Sequence, residues 1–96
     1  MTRKDDLPVI LGRAIEEARN NKDVSRYMLA KRLGTQQHRI TRIENGANDM
    51  RLSSVMDIID ALDITPGELL DPVAATIRGK GLLQSAERKE VENGNS

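Results

Sequence analysis

Ninety-six residues are enough for one small domain and too few for two well-packed cores. The chain has no Cys, no Phe, no Trp and one Tyr, which excludes disulfide scaffolds and thiolate metal sites and requires an aliphatic core. Fifteen Lys and Arg balance fifteen Asp and Glu, a neutral total that, taken alone, argues against a polyanionic partner.

Aliphatic residues recur at helical rather than alternating spacing, which predicts an all-α bundle. No apolar run exceeds three residues, too short for a signal peptide or a membrane span. Residues 1–6 are polar and read as a frayed start. The first helix is expected from Pro8, suited to a first helical position, to Asn21, with Leu11, Ala14, Ile15 and Ala18 as its buried stripe. Ser25 is placed to cap a second helix whose Leu29, Ala30 and Leu33 point inward, although Met28 stands where a capping box would have Glu. A third helix spans residues 36–44 and ends at Asn45-Gly46. After a loop at 47–51, the fourth helix covers 52–62, with Leu52, Val55, Met56, Ile59 and Leu62 on one apolar face.

Thr65-Pro66-Gly67-Glu68 combines a cap, a first-position proline and a third-position Glu, and so opens a fifth helix. Leu69 and Leu70 close the core, and Asp71-Pro72 is expected to stop the helix. Beyond it, residues 73–77 are read as packing on the bundle, 78–81 as a hinge, 82–91 as a weak helix and 92–96 as disordered. The domain thus covers 7–71. Residues 72–96 form a tail, partly disordered or serving as a dimer or partner surface.

Residues 25–46, SRYMLAKRLGTQQHRITRIENG, hold the chemistry. Ala30, Gly34, Ile40 and Ile43 have the spacing of a helix-turn-helix: a small residue where helices cross, a glycine able to take positive φ, and two apolar residues three apart. His38, Thr41, Arg42 and Asn45 then face outward, where a DNA major groove can be read. Charge follows the same division. Residues 24–48 carry Arg26, Lys31, Arg32, Arg39 and Arg42 against Glu44, a net of +4. Residues 49–76 carry Arg51 against Asp49, Asp57, Asp60, Asp63, Glu68 and Asp71, a net of −5. A dipolar molecule of this kind presents one face to phosphate despite its neutral total. The Asp57/Asp60/Asp63 row has no His, Ser or Lys partner and reads as a solvated face, so no enzyme is expected. Lone His38 with no Cys makes a poor metal ligand, and neither metal nor cofactor is expected. Tyr27 is expected to pack its ring on the first helix or beside a phosphate-side groove.

Over residues 10–70 the chain resembles the Xre/Cro-type family of bacterial and phage repressors, the lambdoid helix-turn-helix domain. The resemblance rests on Leu11-Gly12 and Ile15 leading to Arg19, on Ser25 with Leu29-Ala30, and on Leu33-Gly34 and Ile40. It continues through Ile43-Glu44-Asn45-Gly46 and from Leu52 through Ala61-Leu62 to Pro66 and Leu70. It implies a five-helix bundle of the lambda-repressor-like type that binds double-stranded DNA, usually as a homodimer, with its third helix in the major groove. By that resemblance Gln37, His38 and Arg42 fall on base-reading positions, and Gln36 and Arg39 lie nearer phosphate. Arg26 falls on a phosphate anchor, while Asn48 and Arg51 in the loop reach the next phosphate or the minor-groove edge. Arg19 and Glu44 fall on positions joined as a structural ion pair. Four departures stand out: Gln36 where Ser or Thr caps the third helix, so that Thr35 becomes the cap; Arg26 for Gln; Asp63 for Gly; and Met50-Arg51 for Pro-Ser.

The expected function is a sequence-specific, cytoplasmic transcriptional regulator of bacterial or phage origin, a repressor binding a palindromic operator as a homodimer. The alternative is an antitoxin that neutralises a protein toxin through the tail and autoregulates its operon. No membrane association is expected under either.

Overall fold

The computed structural model describes residues 6–79, and among them there are five α-helices and no strand. They are α1 (Leu7–Asn21), α2 (Arg26–Leu33), α3 (Gln37–Glu44), α4 (Leu52–Ala61) and α5 (Pro66–Gly79). The readings of residues 1–5, of the far half of the 78–81 hinge, of the 82–91 helix and of 92–96 lie outside the described residues.

Local chemistry sets the helix ends. Pro8 sits in the first turn of α1, where its missing N–H costs nothing. The Ser25 hydroxyl accepts the Met28 N–H at 3.0 Å and caps α2. Gly34 ends α2 at φ +69° with open space around its Cα, so this glycine is required by backbone conformation and not by crowding. Thr35 does not cap α3. Its N–H donates to the Ala30 carbonyl at 2.9 Å, Gln36 occupies the cap position without a side-chain bond, and the helix begins at Gln37. Asp63 takes the left-handed conformation at φ +55° after α4. The Thr65 hydroxyl accepts the Glu68 N–H at 3.1 Å and opens α5.

Further expectations differ from the structure. Helix α5 does not stop at Asp71-Pro72 but runs through Pro72 to Gly79. Leu69 before the proline and Val73 after it both pack on the core, so tertiary contacts on either side hold the helical path across the missing hydrogen bond. In α4, Leu52 is 72 % exposed and Met56 is exposed as well, while Ile58 is buried beside Val55, Ile59 and Leu62. Apolar residues cover so much of this helix that the buried stripe depends on which face its neighbours meet. Tyr27 is 60 % exposed and lies under the Lys31 ammonium, 6.0 Å from the ring centroid.

The core joins Ala14, Ile15, Ala18, Val24, Leu29, Ala30, Ile40, Val55, Ile58, Ile59, Leu62 and Leu69. Helix α3 is seated on α1 by close backbone approach at two glycines. A Cβ on Gly12 would lie 2.5 Å from the Ile43 carbonyl oxygen and 2.6 Å from that of Glu44. At Gly46, which has φ +71°, it would lie 2.6 Å from the Val9 Cα. One ionic cluster completes the seat. Arg19 grips the Glu44 carboxylate with two N–H groups, Nε to Oε2 at 2.7 Å and Nη2 to Oε1 at 3.2 Å. Its Nη1 donates to the Val24 carbonyl at 2.9 Å. Arg26 adds a second cation, with Nε donating to Glu44 Oε1 at 2.8 Å and Nη2 to Glu16 Oε2 at 3.0 Å. Both Arg19 and Glu44 are buried, and no buried side-chain polar atom among the described residues lacks a partner. The Arg32 guanidinium on α2 donates to the Ala61 carbonyl at 2.8 Å, which ties the C-terminus of α4 to α2.

Gly12→Ala should cost about 1–3 kcal/mol, because the atoms it meets are backbone and the two helices must separate. Thermal unfolding followed by circular dichroism reads this as a lowered Tm with unchanged helix content. Leu52→Ala should change stability by less than about 0.5 kcal/mol, against about 2–5 kcal/mol for Ile58→Ala; equal losses in urea titration would contradict the orientation of α4. Glu44→Gln should cost about 3–5 kcal/mol by leaving the buried Arg19 without its counter-charge, measured in the same titration.

Candidate nucleic-acid interface

Eight residues of α3 divide into two faces. Ile40 and Glu44, four apart, are buried against the bundle. At 3.6 residues per turn Arg42 projects opposite that stripe, with His38 and Asn45 to one side of it and Arg39 to the other. All four are exposed. Gln37 and Thr41 fall nearer the buried edge: Gln37 is exposed in the first turn, and Thr41 is half-buried with its hydroxyl directed back to the Gln37 carbonyl at 3.5 Å. Gln36 is exposed at the uncapped N-terminus of the helix, where backbone N–H groups and the positive end of the helix dipole meet solvent.

Beside this face, α3, the α3–α4 loop and the first turn of α4 surround an open depression of about 1020 Å³. It is lined by Gly34, Thr35, Gln36, His38, Arg39, Arg42, Ile43, Asn48, Asp49, Met50, Arg51 and Ser54. Three arginines and a single acid share that lining, so the depression is electropositive although the chain as a whole is neutral. The structure therefore brings Gln36, His38, Arg39, Arg42 and Arg51 around one concavity, and places Gln37, Thr41 and Asn45 outside its lining.

Arg26 stands apart from this group. The Glu44 hydrogen bond and charge, helped by Glu16, hold its guanidinium above its ordinary pKa, and its Nε and Nη2 are already committed within the protein. Only the rest of its fork remains for any phosphate. Glu16 was missed as a member of this cluster; its place three residues before Arg19 on α1 was the one available signal, with a separation of 4.0 Å between the two side chains. Asn48, exposed and part of the lining of the depression, also reaches back to α3. With its amide oriented to satisfy both neighbours, the oxygen accepts from Arg42 Nη2 at 3.0 Å and the nitrogen donates to the Ala47 carbonyl at 2.9 Å. Nothing in the spacing of residues 42 and 48 announces that contact, because it crosses the end of a helix and a turn.

Among the described residues no cluster of three His, Cys, Asp or Glu could hold a metal ion, and no helix is long and apolar enough to cross a membrane. Carboxylates Asp57, Asp60 and Asp63 are exposed and are not part of the lining of the depression.

Comparison with known proteins agrees with this geometry. The family model described as the Cro/C1-type HTH DNA-binding domain matches residues 15–75. The fold is similar to that of the clp gene regulator ClgR from C. glutamicum, with a TM-score of 0.68 and 22 % identity over 72 % of this chain and 88 % of that one. It is also similar to the restriction-modification controller protein C.AhdI from Aeromonas hydrophila, with a TM-score of 0.60 and 33 % identity over 67 % of this chain and 96 % of that one. Comparison with curated proteins found no match. With its two helices joined at Gly34, the outward row on α3 and a family match over more than half its length, the chain belongs to the Cro/C1-type helix-turn-helix DNA-binding domain family.

Proposed function

We propose that the protein is a sequence-specific transcriptional regulator, acting as a repressor, that binds a palindromic operator as a homodimer with α3 in the major groove. The observation that carries this reading is the two-faced α3: Ile40 and Glu44 lock one side to the bundle, while His38, Arg39, Arg42 and Asn45 are exposed on the other. Arg42 at the centre of that face offers a fork matched to the O6 and N7 of guanine, and Gln37 offers an amide matched to adenine. Gln36, Arg39 and Arg51 around the depression, with what remains of the Arg26 fork, take the phosphate contacts that fix the register without reading sequence. His38, Thr41 and Asn45 supply further contacts along the groove.

Helix α3 is eight residues long, or about 12 Å, and reads only a few base pairs by itself. Two copies related by a two-fold axis double the site and favour a palindrome, with half-sites roughly 34 Å apart. Repression fits because it asks only that the operator be occupied. Two of the similar structures are named for control proteins, one for a clp gene regulator and one for a restriction-modification controller, which supports a regulatory role.

Selection of bound duplexes from a random pool at near-physiological salt tests the reading. A two-fold symmetric site is the expected product, and recovery of no sequence preference would overturn it. On the selected site, Arg42→Ala should relax preference at one base pair per half-site, worth about 1–3 kcal/mol of discrimination. Arg39→Ala should weaken all duplexes alike and reduce the salt dependence by about one counterion per protomer. Uniform weakening by Arg42→Ala would contradict the register assigned to α3.

A further inference from the structure

We infer that Asn48, a residue of the α3–α4 loop, is a positioning residue for base recognition: it holds the Arg42 guanidinium in the orientation that reads DNA. The inference rests on the DNA-reading role of Arg42 proposed above. An arginine side chain on the exposed face of a helix ordinarily samples many rotamers, and that freedom must be given up when it docks on a base edge. Here the freedom is already restricted, since Nη2 of Arg42 donates to the Asn48 side-chain oxygen at 3.0 Å.

The anchor is itself fixed. The Asn48 nitrogen donates to the Ala47 carbonyl at 2.9 Å. The Ala47 N–H in turn donates to the Arg42 carbonyl at 3.0 Å, so the loop closes back on the very residue it orients. The preceding Gly46 lies so close to α1 that a Cβ would fall 2.6 Å from the Val9 Cα. The loop is thereby keyed to the bundle as well as to α3.

The geometry leaves the reading edge available. Asn48 takes one hydrogen of Nη2. The other Nη2 hydrogen still lies beside a neighbouring N–H, that of Nε or of Nη1, and forms a two-donor edge of the kind guanine accepts. Asn48 and Arg42 are both exposed, so water competes for this bond and its contribution to folding is small. Its effect falls on orientation. A neutral amide suits that task, because a carboxylate in the same place would also put negative charge beside the phosphates.

The test uses the full chain and the duplex selected by it, with binding measured against variants at each base pair. Asn48→Ala should flatten the preference at the Arg42 base pair by about three- to tenfold per half-site and leave the other positions unchanged. The same substitution in an Arg42→Ala background should produce no further loss. Asn48→Asp keeps an acceptor facing Arg42 and should retain that preference while weakening every duplex alike. Thermal unfolding of Asn48→Ala should match the parent. Equal weakening of all duplexes by Asn48→Ala, or an effect that persists without Arg42, would show Asn48 to be an ordinary backbone contact and overturn the inference. Failure of the parent chain to select any duplex would remove the DNA-reading role first, and the inference with it; that outcome is read on the parent alone.

Discussion

The buried carboxylate of Glu44 is the point on which the geometry of the site depends. It closes the last turn of α3, and it is held by Arg19 from α1 and Arg26 from the start of α2. A charge with 1 % of its side chain exposed is tolerable only when it is paired and both its oxygens are hydrogen-bonded, and here two guanidinium groups supply three such bonds. Net stability from such a cluster is modest, since desolvation offsets much of the attraction. Direction is the larger consequence. The two-pronged grip of Arg19 permits one orientation of the carboxylate, and with it one rotation of α3 about its axis. Gly12 and Gly46 let the backbones approach closely enough for that grip to form.

Once α3 is seated in this way, its outer face follows by helical geometry. Arg42 lies opposite Ile40 and Glu44 because the intervening angle is fixed at 3.6 residues per turn. The electrostatic character of the surface is less simple than a count of cations suggests. Arg26 is spent largely on Glu44 and Glu16, and Arg32 turns toward the end of α4. The positive field at the depression comes instead from Arg39, Arg42 and Arg51 in its lining. Segregation of charge along the chain marks the stretch that holds Arg39 and Arg42, but it does not separate them from Arg26 and Arg32, and it leaves Arg51 in the acidic part.

Local signals in the sequence were legible where a single residue decides a backbone conformation. Gly34, Ser25, Thr65 and Asp63 each act within a few residues of themselves, and the structure has a turn or a cap at every one of them. Signals that depend on a partner were not. Leu52 and Ile58 are both apolar residues of α4, yet one is 72 % exposed and the other 2 %. Periodicity could not choose between them, because the helix carries more apolar positions than one stripe needs. Pro72 reads as a stop on local rules, and only packing of Leu69 and Val73 on the core carries α5 through it.

By itself, then, the sequence determined the class of fold, the order of the five helices and the glycine turn between α2 and α3, and it singled out the helix pair that carries the candidate interface. These are short-range matters, set by helix propensity, caps and the spacing of apolar residues. Tertiary structure alone decided that Arg26 and Arg32 are committed within the bundle, which face of α4 is covered, and that Asn48 reaches back to Arg42. Such pairings join side chains from different helices or across a turn. Their geometry exists only after the helices have been brought together, so no spacing along the chain can specify it.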